Sequence, residues 1–150
     1  MIREATLSDI SSLLDLAAFF VPKVGSATLS ERRFRPEIRG LIKSEHTLVL
    51  VAEHEDEIVG CLIGQVGRVW YSDDLYATDI AFVVRPEFSG LYAWLMAKKF
   101  IRWAKSDKRV VEVTMQISSG FGDTERVGKM YESLGLTSMG GCYTAEFLRN

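Results

Sequence analysis

Ala77-Thr-Asp-Ile-Ala-Phe-Val-Val-Arg-Pro-Glu-Phe-Ser-Gly90, running directly into the helical pattern Leu91–Lys105, decides the reading of this chain. A half-buried strand delivers the backbone to a Pro turn, and the turn hands it to a helix N-terminus. The first N–H groups of such a helix have no intrahelical acceptor and can cradle an anion such as a pyrophosphate. Small residues would suit a phosphate-binding loop here, yet Tyr92 and Trp94 occupy two of the positions. Their rings either turn into the core as helix stripes do, leaving the N–H donors in place, or block close approach of the ligand.

Upstream of the quoted stretch, a short strand Ile2–Ala5 ends at Thr6, which with Asp9 reads as a helix start. Ile10, Leu13, Leu14 and Ala17 share one helical face, and Pro22 and Gly25 close that helix. A second short helix is expected around Pro36–Ser44, with Ile38, Leu41 and Ile42 turned inward. Thr47–Glu53 and Ile58–Val66 are β-rich runs joined by the polar His54–Glu57, so a central antiparallel hairpin follows. Gly67–Asp74 mixes aromatics with acids and is a candidate rim for a binding site.

Downstream, the helix Gly90–Lys105 carries two apolar stripes, Trp94/Ala97/Ile101/Ala104 and Tyr92/Met96/Phe100/Trp103, leaving Lys98, Arg102 and Lys105 to solvent. Val111, Val113, Met115 and Ile117 alternate with polar residues in a strand. The loop Ser118–Asp123 leads to a last helix on Val127, Met130, Tyr131 and Leu134, with Gly135 as its C-cap and Asp123 or Thr124 as its N-cap. Two short final strands, Thr137–Met139 and Cys142–Phe147, are expected to turn at Gly140-Gly141.

Composition excludes more than it selects. The 150 residues, 47% hydrophobic, suit one domain spanning 1–150 with its own core. Eighteen basic against twenty acidic residues give a net charge of −2, which disfavours nucleic acid or an anionic membrane as partner. No apolar run approaches the ~20 residues of a membrane span, and the N-terminal residues lack a signal-peptide pattern, so a cytoplasmic protein is expected. Cys61 and Cys142 have no metal-ligand spacing and read as reduced, buried thiols, with no disulfide and no metal site expected.

The order β-α-α-β-β-β-α-β-α-β-β, together with Val51-Ala-Glu53, Glu57-Ile-Val-Gly60, Tyr71-Ser-Asp-Asp-Leu75, Val84-Arg-Pro-Glu87 and Tyr131-Glu-Ser-Leu-Gly135, resembles the GCN5-related N-acetyltransferase (GNAT) family. The stretches are most similar to its small phage and prophage members. The resemblance implies an α+β, three-layer fold: a mixed, mostly antiparallel sheet of six to seven strands, about four helices, and a splay between the fourth and fifth strands. It also implies an acetyl-CoA-dependent N-acetyltransferase acting on a primary amine by direct attack, without a metal.

In that frame Ala81, Phe82, Val83 and Val84 would offer backbone groups to the pantetheine amides and an N–H to the thioester carbonyl. The pyrophosphate would sit on Ser89, Gly90, Leu91, Tyr92, Ala93 and Trp94. The family pattern there is Gln or Arg, two residues, Gly, one residue, then Gly or Ala. Ser89, Tyr92 and Trp94 depart from it at all three landmarks. Tyr131 stands where the family places an acid for the leaving thiolate, although its spacing with Val127 and Leu134 equally suits a core tyrosine.

Asp79 is the candidate general base, expected to face opposite to Ile80 and Val84 by strand alternation, and pairing with a neighbouring Lys is its bland alternative. Trp70, Tyr71, Asp73 and Asp74 would favour a cationic acceptor, a small molecule or a protein amine, unless they are ordinary solubility residues. The rival reading, prompted by Tyr92 and Trp94, is a non-catalytic module on the same scaffold with weakened CoA binding. The acceptor is not legible, and a homodimer stays open.

Overall fold

The computed structural model describes residues 1–117 and 123–147. Five strands, β1 (Ile2–Glu4), β2 (Thr47–His54), β3 (Glu57–Arg68), β4 (Leu75–Val84) and β5 (Val110–Thr114), form one sheet in sequence order. Neighbours are antiparallel except β4 and β5, which run parallel because α3 (Leu91–Ser106) carries the chain back across the sheet. The β2–β3 turn is as tight as a hairpin allows. Glu55 and Asp56 both take positive φ, 49° and 66°, the twist that a two-residue turn needs.

Alternation along β2 and β3 feeds two cores. Leu50, Ala52 and Leu62 face α3, where they meet Met96, Phe100 and Ala104. Val49, Val51, Cys61 and Ile63 face the other way, onto Leu13, Leu16 and Phe20 of α1 (Ile10–Val24) and Ile38 of α2 (Glu31–Lys43). The result is three layers, helix on sheet on helix. Gly64 marks the tightest approach: an added Cβ would lie 2.2 Å from Cε2 of Phe100, so only Gly lets that ring cover the sheet.

Several boundaries depart from the sequence reading. The second helix begins at Glu31 rather than near Pro36, because Ser30 caps it by accepting from the Arg33 N–H, and the extra turn packs Phe34 on the α1 side. Pro36 therefore lies inside that helix. α4 (Thr124–Ser133) starts at the Asp123 cap, whose Oδ1 accepts from the N–H groups of Glu125 and Arg126, and Gly135 ends it at φ 91°.

The two final strands expected at Thr137–Met139 and Cys142–Phe147 do not form, so the sheet has five strands rather than six to seven. Met139, Tyr143 and Phe147 lie open to solvent, and a short pair with no covering face does not sustain a ladder. Cys142 is accordingly exposed instead of buried, whereas Cys61 is buried, and both are free thiols. Among the described residues, no helix is long and apolar enough to cross a membrane. The loop expected at Ser118–Asp123 lies, apart from Asp123, outside the described residues.

Candidate active site

β4 carries an irregularity that period-two alternation hides. Ile63 pairs with Ala81 but Gly64 pairs with Asp79, so Ile80 is an extra residue with no counterpart on β3. Such a bulge bends its strand and increases its twist. The consequence appears at once on the other edge: β4 pairs with β5 from Leu75 through Thr78, and residues 79–84 have no strand partner there among the described residues. The bulge also reverses facing downstream. Asp79 lies on the α3 face with Ala77, Phe82 and Val84, which corrects the expectation that it opposes Val84.

The parting of the strands opens a cleft of about 650 Å³. One wall is the β4 edge, Asp79 through Val84; the opposite wall is Gln116, Ile117 and the α4 side chains Val127, Met130 and Tyr131. Ser89, Gly90, Ala93 and Trp94 close the end at the α3 N-terminus. Gly90 caps that helix with φ 93°, a conformation that strains any L residue, and its carbonyl accepts from the Trp94 N–H at 2.9 Å. The N–H groups of residues 90–93 precede that first bond and stay available.

At the inner end, one residue of the departing β5 tail is held from both sides. The Gln116 N–H donates to Asp79 Oδ1 at 3.0 Å, and the Tyr131 hydroxyl donates to the Gln116 carbonyl at 3.0 Å. Asp79 thus replaces the first lost ladder bond with a side-chain one. Burial raises its pKa above the usual aspartate value, against the lowering effect of the Gln116 N–H. Burial, and then the nearby Asp79 carboxylate, push the Tyr131 phenol well above its ordinary range, so it stays protonated at neutral pH.

The two rings at the helix mouth part company. The Tyr92 hydroxyl meets His54 Nδ1 at 2.9 Å beside Phe88, away from the cleft. Trp94 is part of the cleft wall, its indole N–H donating to Ser133 Oγ at 3.3 Å and its ring covered by Lys98. Leu91 points into solvent, and the Ser89 hydroxyl is spent on Pro86 O in its own turn. Trp70, Tyr71, Asp73 and Asp74 form the β3–β4 connection at the opposite end of β4 and do not line the cleft. At ~3.3 Å per residue, roughly 16 Å of chain separates Asp74 from Asp79, the first β4 residue of the cleft wall.

Sequence reasoning missed Gln116, Arg126 and the bulge. Gln116 acts through its backbone and so leaves no side-chain signature. Arg126 lies three residues past the α4 cap, and only its approach to Gly90 shows which way it faces. Among the described residues, no group of three or more His, Cys, Asp or Glu side chains is placed to hold a metal.

No protein-family model matches the sequence, and no curated protein matches it significantly. Solved structures match it along its whole length. Glucosamine-6-phosphate N-acetyltransferase from Arabidopsis thaliana superposes with a TM-score of 0.76 at 14% identity, covering 98% of this chain and 97% of that one. An aminoglycoside antibiotic 6'-N-acetyltransferase from Acinetobacter baumannii gives 0.73 at 20% identity, covering 100% and 97%. The ribosomal-protein-alanine N-acetyltransferase from Brucella melitensis gives 0.71 at 14% identity, covering 98% of each. The chain therefore has the GNAT-like α+β fold of the acetyltransferases, built here on a five-stranded sheet.

Proposed function

We propose that this protein is an acetyl-CoA-dependent N-acetyltransferase that delivers an acetyl group to a primary amine by direct attack. The observation that carries the reading is the cleft between β4 and β5, with unladdered backbone along one side, a helix N-terminus at one end, and a carboxyl and a phenol at the other. Similarity in fold to enzymes that acetylate an amino sugar, an aminoglycoside and a ribosomal-protein alanine supports the class and leaves the acceptor open. The narrower likeness to phage members rests on the sequence stretches alone.

The residues present fit the donor substrate. The free edge of Ala81–Val84 can pair with the two amides of a pantetheine arm as a missing strand would. The N–H groups at the α3 mouth suit a pyrophosphate. Acetyl-CoA supplies an activated acyl thioester. An N–H of the free β4 edge would stabilise negative charge on the thioester oxygen.

Asp79, half-buried and with a raised pKa, would take the proton of the acceptor amine. Tyr131, kept protonated, would give its proton to the leaving sulfur after its hydroxyl rotates off the Gln116 carbonyl.

Steady-state kinetics with acetyl-CoA over a panel of primary amines test this. Tyr131→Phe should lower kcat on the order of a hundredfold or more with little change in KM for acetyl-CoA. An unchanged kcat removes Tyr131 from the chemistry. Trp94 in the cleft wall favours one rival, a non-catalytic module on this scaffold, for which no amine would support release of free CoA.

A further inference from the structure

α3 differs from the other helices in the sign of its surface. α1, α2 and α4 each carry both signs, and two of them pair across a turn, Arg35 with Glu31 at 3.1 Å and Lys129 with Glu125 at 3.4 Å. Leu91–Ser106 holds no carboxylate, only Lys98, Lys99, Arg102 and Lys105, in a chain whose net charge is −2. All four are exposed, and none makes an ion pair among the described residues. Of the acids around the helix, Glu87 lies in the Pro turn before it, and Asp107, just past its end, is held by Arg109 at 2.8 Å. Glu132 of α4 stands beside Ser133, the residue that meets Trp94 in the first turn.

These cations share a face. Leu91, Leu95, Lys98, Arg102 and Lys105 recur at helical spacing with Lys99 beside them, so one stripe runs from the cleft mouth down the outside of α3. Its first residue is apolar and 69% exposed, and the remainder of the stripe beyond Leu95 is basic. The helix dipole accounts for Lys105 in the last turn but not for Lys98 and Lys99 in the middle. Lys98 is engaged with the Trp94 ring. At ~1.5 Å per residue, Arg102 and Lys105 lie roughly 18 and 22 Å along the helix from Gly90. That is more than two Debye lengths of ~8 Å at physiological salt, so a pyrophosphate held at the mouth is out of their reach.

We propose that this face docks an acidic protein that carries the acyl thioester on a phosphopantetheine arm, and that the arm enters the cleft beside the same helix. The inference rests on the reading of the cleft as a pantetheine berth, and it adds a second donor class to acetyl-CoA. The arm occurs in both, ended by a nucleotide in one and by a protein serine in the other. A single-sign stripe that begins at the berth's mouth and continues past the end of any pyrophosphate matches a body of opposite charge attached there. Exposed Leu91 gives that contact an apolar point at the mouth. The reacting bonds are those of the proposed transfer: the amine nitrogen bonds to the acyl carbon, the C–S bond breaks, Asp79 takes the amine proton, and the carrier's sulfur leaves as the thiol with the Tyr131 proton.

Titration calorimetry on the full chain tests this with two probes, acetyl-CoA and a bacterial acyl carrier protein bearing acetyl-phosphopantetheine. The unaltered protein should bind both. Arg102→Glu combined with Lys105→Glu should weaken the carrier on the order of 10- to 100-fold and flatten the salt dependence of its binding. Acetyl-CoA affinity should change less than about twofold, because both positions lie beyond the screening length from its phosphates; this also shows that the variant is folded.

A carrier that does not bind the unaltered protein, while acetyl-CoA does, would overturn the docking face and leave the acetyl-CoA reading intact. Carrier binding unchanged in the variant would equally overturn the face. Equal weakening of both probes would assign the cations to the nucleotide of CoA and overturn the proposal. Charge-dependent binding of the carrier by a protein that ignores acetyl-CoA would uphold the face and defeat the acetyl-CoA reading.

Discussion

Arg3 ties three elements together with one guanidinium. Its Nη1 and Nη2 meet the two oxygens of the buried Asp9 at 2.8 and 2.9 Å, and its Nε meets Glu53 at 3.0 Å, so β1, the entry to α1 and the end of β2 share one ion cluster. The Arg3 hydrogen bonds hold the Asp9 carboxyl below the usual aspartate range. Because the folded value lies below the unfolded one, the contribution is full above the unfolded pKa and is lost as pH falls through the folded value. Arg3→Ala, which leaves Asp9 buried without its partner, should cost about 2–3 kcal/mol at neutral pH. Denaturant unfolding of the two proteins should converge at acidic pH; a constant difference across that range would contradict the assignment.

Asp79 gives the opposite sign at the same scale. Burial raises its pKa, so the ionised base is present only above that raised value. The acid limb of a kcat/KM profile should therefore fall at a pH above that of an ordinary aspartate, and Asp79→Asn should remove the limb together with most of the rate. An acid limb that survives in Asp79→Asn would assign the base elsewhere. Tyr131 adds no alkaline limb below the ordinary phenol value near ~10, since its own value lies higher.

Among the elements, β4 is where sequence and structure diverge most usefully. Its extent, its Pro turn and the helix after it were legible, because apolar alternation and Pro punctuation are local signals. The bulge at Ile80 was not, because an extra residue shows only against the partner strand. That residue turns an ordinary strand pair into a splayed one, so the feature on which the cleft depends was anticipated only through family likeness. The last two strands failed for the related reason that a short segment with a Gly-Gly turn reads as a hairpin whether or not anything covers it. Gly64 lies next to the bulge on the facing strand. Gly64→Ala drives a methyl into the Phe100 ring and should cost about 1–3 kcal/mol, read as a lower urea midpoint with unchanged slope. An unchanged midpoint would mean that Phe100 does not cover β3 as described.

At the scale of the whole molecule, helices cover both faces of a sheet that opens between β4 and β5. α1 and α2 brace one face of the sheet and α3 the other, while α4 touches the cleft through Tyr131, Arg126 and Val127. A packed sheet with a gap in its ladder suits a ligand that completes the sheet, and it explains how a site can depend so little on side chains that a sequence displays. Titration of acetyl-CoA into the protein tests that claim most directly. Saturable one-to-one binding at micromolar concentration is the expected result, and no detectable binding at millimolar acetyl-CoA would contradict it.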